Sequence, residues 1–183
     1  NGTLQRVSDA KGEPLTVHVH AWDDYDINSS WKNPTYSVEV WKIMRGGTAL
    51  LLLRSKAFDH LYTDNKAHRF TQEVVFGKSA YAVMKELNII PDILHLNEAH
   101  TVIGAAHVKA DELFAKTKVV YTNHTIVPAG LEMFSTSVIG TDVRRMIYHI
   151  GLPGDKLYEM HSAFLSPDGV VDFCKAAMVL ADA

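Results

Sequence analysis

Between residues 68 and 123 the chain changes its hydrophobic period three times, and that alternation restricts the folds open to it. HRFTQEVVFGKSAYAVMKEL (68–87) sets Phe70, Val74, Gly77, Tyr81 and Met84 on one stripe at spacings of four, three, four and three, the pattern of an amphipathic helix. Asn88 marks its stop, and Pro91-Asp92 introduces a short apolar strand, ILHL (93–96). A helical stretch follows over about 101–116, then a second strand, KVVYTN (118–123), with Pro128 and Gly130 at its exit. Further on, SVIGTDVRRMIYHIG (137–151) reads as a helix closed by Gly151, LYEM (157–160) as a short strand, and SPDG (166–169) as the opening of a last helix over 170–183. Short apolar strands alternating with helices argue for a parallel sheet with crossover helices, an α/β layered fold.

The first third has a different rhythm. LTVHVHAW (15–22) and YSVEVWKIM (36–44) alternate with period two, and TALLLLR (48–54) is a continuous apolar run. Arg45-Gly46-Gly47 between the last two is a hairpin signal. Residues 1–57 are therefore expected to form an antiparallel, strand-rich portion, and residues 58–183 the helix–strand portion. His18 and His20 face one side of their strand with Trp22 alongside; the spacing suits a metal, but no third ligand is positioned and none is expected.

Bulk properties exclude several classes. A net charge of -3 with scattered basic residues gives no footprint for nucleic acid. No apolar run approaches the roughly 20 residues of a membrane span, and no signal peptide is visible. The single cysteine, Cys174, cannot form an intrachain disulfide, which fits a cytoplasmic location, and it reads as a small buried helical residue. The chain opens on Asn1 and closes within an apolar helical pattern, so a piece of a longer protein, cut at both ends, is expected.

Both short strands end in polar residues. Asn97-Glu98-Ala99-His100 follows one, and Thr122-Asn123-His124-Thr125 follows the other. In parallel α/β sheets ligands bind at the carboxyl ends of strands, so neighbouring strands would bring His100 and His124 to one edge. Asn amides and imidazole nitrogens donate and accept, and a carboxylate accepts from paired hydroxyls, a set suited to polyols. The competing reading is local: Asn97 could cap the following helix. No GxGxxG, P-loop, GxSxG, HExxH or CxxC pattern occurs.

HLNEAH followed by YTNHTIVPAGLEMF resembles the α-glucan (glycogen, starch, maltodextrin) phosphorylases, whose members carry HLNEGH or QLNDTH and then THTPVPAG or TNHTVLPEALE. The likeness extends to FDHLYTDNKAHRFTQEVVFGKSAYAVMKELNIIPDI, where Arg69, Gln72 and Glu73 match the arginine and Gln-Glu pair opening a long helix in the short prokaryotic and archaeal branch. It is firm over residues 58–134, weaker beyond, and vague over the first 55. The resemblance implies a Rossmann-like part of the N-terminal domain of a two-domain GT-B enzyme. Such an enzyme transfers the terminal α-1,4-linked glucosyl unit of a glucan to inorganic phosphate, giving glucose 1-phosphate, with pyridoxal phosphate as cofactor. It further implies His124 as the catalytic residue reaching the transferred sugar, with Asn97, Glu98, His100, Asn123 and Thr125 around the substrate. The cofactor would be bound by the C-terminal domain and by no residue of this segment, and the intact enzyme could be a homodimer.

The departures are specific. The family's helix carries GIGG where this chain has Gly77-Lys78-Ser79-Ala80, and Ala99 replaces the glycine of NEGH, which asks for an ordinary backbone there. The cofactor lysine and the basic residues for substrate phosphate belong to the other domain, so this segment alone is expected to be inactive. Two readings stand beside this one: a nucleotide-sugar GT-B glycosyltransferase of the glycogen-synthase kind, and a non-catalytic glucan-binding module.

Overall fold

The computed structural model describes residues 2–21, 35–60, 63–125, 127, 130–135 and 150–183. Its hub is strand β3 (Thr35–Arg45), antiparallel to β1 (Gln5–Arg6) and β2 (Thr16–His20) on one side and to β4 (Thr48–Arg54) on the other. Gly46 and Gly47, both at positive φ, make the two-residue β3–β4 turn, where other residues would be strained. Leu15, Val17 and Val19 join Tyr36, Val38 and Val40 on the inner face. Outside, His18 Nδ1 meets Ser37 Oγ and His20 Nδ1 meets Thr35 Oγ1, both at 3.1 Å. Trp22 lies outside the described residues; among those described, no three His, Cys, Asp or Glu side chains stand close enough to hold a metal.

Helix α1 (Lys66–Glu86) starts where Asn65 accepts hydrogen bonds from the backbone of Ala67 and His68. Phe70, Val74 and Gly77 are buried as the stripe predicts, with Tyr81 and Met84 half-buried. The burial is wider than one stripe, because Thr71, Gln72, Glu73, Val75 and Ser79 are buried too. α1 packs on the sheet with one side and on α2 (Val102–Ala110) with another. The α1–α2 crossing is so close that a Cβ on Gly77 would stand 2.5 Å from Ile103 Cβ and 2.7 Å from the Gly104 nitrogen.

β5 (Ile93–Asn97) and β6 (Lys118–Thr122) pair in parallel with Asn97 opposite Thr122, the crossover arrangement read from the sequence. The helix expected to reach residue 116 stops at Ala110. Asp111 breaks it: one carboxylate oxygen caps the 3-10 turn Glu112–Phe114 at Leu113, and the other accepts from the Tyr81 hydroxyl and Lys85. Beyond β6, Asp182 donates its backbone N–H to the Val119 carbonyl, and Tyr121 donates to the Ala183 carbonyl.

The last third departs most from expectation. Residues 157–160, expected as a strand, lie inside helix α3 (Gly154–Phe164). Met160, Ala163 and Phe164 recur at helical spacing and turn inward, and Lys175 closes the helix by donating to the carbonyls of Ser162 and Leu165. SPDG does not open a helix. It is the turn leading to strand β8 (Val170–Asp172), antiparallel to a strand not anticipated, β7 (Met133–Ser135). The final helix, α4 (Phe173–Leu180), begins later than 170 because Asp172 accepts from the Lys175 backbone N–H as its cap. Phe134 of β7 stacks edge-on against Phe70 (5.2 Å) and Phe173 (5.1 Å), tying α1, β7 and α4 together. The helix read over 137–151 lies outside the described residues except for Ile150 and Gly151, whose φ is +75°. Cys174 is buried in α4. Among the described residues no helix is long and apolar enough to cross a membrane.

Candidate functional site

The carboxyl ends of β5 and β6 bring the two polar clusters together. Glu98 donates its backbone N–H to the Thr122 carbonyl (3.0 Å), extending the ladder by one residue. There the chain turns sharply, with Glu98 at φ 67° and ψ 166°. That region is essentially reserved for glycine and costs another residue of order 1–3 kcal/mol. Ala99 is not among the residues at positive φ, so the ordinary backbone expected of it is present and the unusual one sits a residue earlier.

The turn brings the polar ends of the two strands into contact. Glu98 Oε1 accepts from the backbone N–H of His124 at 2.8 Å, and His124 Nε2 lies 3.1 Å from Asn97 Oδ1. An amide oxygen only accepts, so Nε2 carries the proton, and in the neutral ring Nδ1 is left as an acceptor. Asn97, Glu98 and His124 therefore form one contact set across the two strands. Asn97 does not cap the next helix: neither the 3-10 turn Ala99–Thr101 nor α2 has a side-chain cap. Asn123 accepts from the Thr125 N–H at 2.8 Å, a local turn that uses its carbonyl oxygen, while Thr125 stays exposed.

His100 stands at the same edge but turns into a neighbouring cavity of about 330 Å³. Leu53, Phe58 and Phe76 form its apolar wall, and Arg69, Gln72, Glu73, His60 and His100 its polar one. Burial, then the nearby Arg69 charge, lower the pKa of His100, against the opposing pull of Glu132 and Glu98. Arg69 stands 2.7 Å from Glu73 Oε1 and 2.9 Å from Glu132 Oε1. Gln72 donates to the His60 carbonyl while its own oxygen is buried without a hydrogen bond.

The sequence pattern puts Arg69, Gln72 and Glu73 on the helix without assigning them to a site, and it gives no sign of Glu132 or His60. The available signal was three polar residues at helical spacing within a run of buried apolar ones, since charged groups are almost never fully buried unless paired. An aldehyde cofactor such as pyridoxal phosphate needs a lysine amine, and among the described residues no lysine lines this cavity, so the groups here do not fit it. Lys78, whose pKa burial lowers to about 8, donates instead to the His20 carbonyl.

A layered α/β chain with polar groups gathered at the carboxyl edge of its parallel strands has a ligand site where such folds bind their ligands, and comparison with known proteins supplies the family. A family model described as the starch synthase catalytic domain matches residues 4–183, and the chain belongs to that family. It is also similar to the α-glucan phosphorylases. A glycogen phosphorylase of Mycobacterium tuberculosis is 26% identical over 188 aligned positions, covering 84% of this chain and 21% of that protein. A maltodextrin phosphorylase of Thermococcus litoralis is 26% identical over 114, covering 56% of this chain and 13% of that protein. The chain thus spans about a fifth of the length of the mycobacterial relative. Among solved structures, the catalytic domain of starch synthase IV from Arabidopsis thaliana, bound to ADP and acarbose, superposes with a TM-score of 0.65 at 14% identity. That match covers 98% of this chain and 33% of the other. It shows the fold, the GT-B type expected from the sequence.

Proposed function

We propose that this chain forms the sugar-side wall of an α-glucan phosphorylase. The observation that carries the reading is the Asn97–Glu98–His124 contact set, built from the two motifs shared with phosphorylases. In phosphorolysis the bond between the terminal sugar's C1 and the glucan's O4 breaks, C1 bonds to a phosphate oxygen, and O4 leaves with a proton. The transition state has oxocarbenium character, so oriented hydrogen bonds around the sugar's hydroxyls and negative charge near C1 both favour it. Within this chain His124 is assigned the first task. With Nε2 fixed on Asn97, its Nδ1 accepts from a sugar hydroxyl, while Glu98 holds the backbone of the same residue. His100, Asn123 and Thr125 complete the surroundings of the sugar. Inorganic phosphate and pyridoxal phosphate are assigned to a facing domain outside this chain, and the intact enzyme to the cytoplasm, as a homodimer.

A second reading has its own support. The match to the starch synthase catalytic domain over residues 4–183 favours transfer from a nucleotide sugar. The full-length protein separates the two: phosphate-dependent release of glucose 1-phosphate from maltodextrin supports phosphorolysis, and glucan extension from ADP-glucose supports the alternative. His124→Ala is expected to lower kcat/KM about 10–100-fold, corresponding to a lost positioning bond of ~1–3 kcal/mol. Undiminished activity in that variant would remove His124 from the site under either reading.

A further inference from the structure

The segment that carries His124 runs from Asn123 to Glu132 and is anchored at both ends. Near its start, Glu98 accepts from the His124 N–H. At its far end, Arg69 donates to Glu132 Oε1 from Nε (3.3 Å) and Nη2 (2.9 Å). The two ends touch: a Cβ on Gly130 would stand 2.2 Å from Thr125 Cγ2 and 2.7 Å from Thr125 Cβ. Arg69 thus holds Glu132, and Gly130, two residues before it, abuts Thr125, the neighbour of the candidate catalytic imidazole.

The same guanidinium serves a second carboxyl group. Glu73, 2% exposed, places Oε1 2.7 Å from Arg69 Nε. As a carboxylate, neither Glu73 oxygen has an aligned hydrogen-bond donor. One cation facing two anions, one buried and one half-buried, is poorly balanced, and a proton on the buried one repairs both faults: the acid O–H donates to the other carboxylate.

We propose that Arg69 is a positioning residue for His124, acting through Glu132, with the Glu73 carboxyl hydrogen-bonded to Glu132 across it. Burial first, and the Glu132 charge second, push the Glu73 carboxyl well above the ordinary carboxylate range, against Arg69 and the more distant Lys66. The other titratable groups facing the cluster among the described residues are His100, from the turn after β5, His60, from the turn before α1, and Cys174 of α4, which lies against Glu132. With Glu73 as the acid, one cation faces one anion. When Glu73 ionises, a second buried negative charge repels Glu132 and loosens the far anchor.

The inference rests on the proposed sugar-side reading for its activity assay alone, and its spectroscopic tests are independent of it. In the full-length protein, Arg69→Met is expected to lower kcat/KM about 10–100-fold, mostly in kcat, because a misplaced reacting group costs rate even when the fold is kept. Arg69→Lys should recover part of this. Glu73→Gln keeps a donor toward Glu132 but cannot ionise, so the fall in activity expected as rising pH ionises Glu73 should be absent from that variant. Difference infrared spectra should contain a protonated-carboxyl band at neutral pH that is lost in Glu73→Gln. The His124 imidazole resonances should shift in Arg69→Met and stay in place in Glu73→Gln. A missing band, or Arg69→Met with wild-type kcat and unshifted His124 signals, overturns the proposal. If the wild-type protein neither phosphorolyses nor extends glucan, the functional reading fails, and the band and the resonances still decide this one.

Discussion

Gly77 offers a test in which the sign of the effect is diagnostic. In an exposed helix interior, Gly→Ala stabilises by about 0.5–1 kcal/mol, since alanine is the better helix former. At Gly77 the added carbon would stand 2.5 Å from Ile103 Cβ, 2.7 Å from the Gly104 nitrogen and 3.1 Å from the Ile103 carbonyl carbon. Ordinary carbon contacts need about 3.5–4.0 Å, so α1 and α2 must part by roughly 1 Å. All three atoms are backbone or Cβ, and no rotamer change moves them. Overpacking of this kind costs about 1–3 kcal/mol, with a backbone-limited case at the upper end. Less the gain in propensity, Gly77→Ala should destabilise by about 2 kcal/mol. For a chain of this length that lowers Tm by about 4–8 °C. Thermal and urea melts followed by circular dichroism would measure it, with Gly104→Ala as the milder control, its nearest neighbour being the Gly77 carbonyl oxygen at 3.2 Å. A Gly77→Ala protein more stable than wild type would refute the close crossing.

Glu98→Gly should relieve the left-handed backbone strain while removing the acceptor for His124, so stability holds or rises by about 1 kcal/mol as activity falls. His107 donates from Nε2 to the Ile150 carbonyl, and burial lowers its pKa to about 4. Its neutral form is the folded one, so its contribution is complete above the unfolded value near 6.5 and is lost as pH falls toward 4. At about 1.4 kcal/mol per pH unit, up to roughly 3 kcal/mol is at stake, and His107→Gln should flatten that part of a stability–pH curve. Asp182 accepts from Lys109 first and the Val119 backbone second, and these hold its carboxyl at about 2. Asp182→Asn should remove a loss of stability otherwise seen as pH drops from about 4 to 2, measured by urea melts across that window.

The sequence was most legible where one residue pattern had one physical cause. Alternating strands and the two-glycine turn gave the antiparallel sheet, and the apolar stripe gave α1. The parallel pair followed from the helix between its strands, and with it the shared edge of Asn97, Glu98 and His124. It misled where short segments are decided by tertiary partners. LYEM is too short to show its period, and the β7–β8 pair exists because residues 133–135 and 170–172 meet from distant parts of the chain. The polar cavity was hidden for a related reason. Arg69 and Glu73 look like an ordinary i, i+4 surface pair, and only Glu132, 63 residues away, reveals them as part of a buried cluster.

The contrast between the two sheets carries a kinetic consequence. β3 and β4 are joined by a two-residue turn and match seven residue pairs in direct succession, whereas every β5–β6 partner is separated by 25 residues. Local hairpins form in about 1–10 μs, while contacts distant in sequence must first overcome loop-closure entropy. Mutations in the β3–β4 hairpin are therefore expected to slow folding, and those in β5–β6 to speed unfolding. The edge that holds His124 would then be the last part of the molecule to take shape and the first to come apart. Protease nicking near residues 97–100, under conditions where the hairpin stays protected from hydrogen exchange, would be its earliest sign of failure.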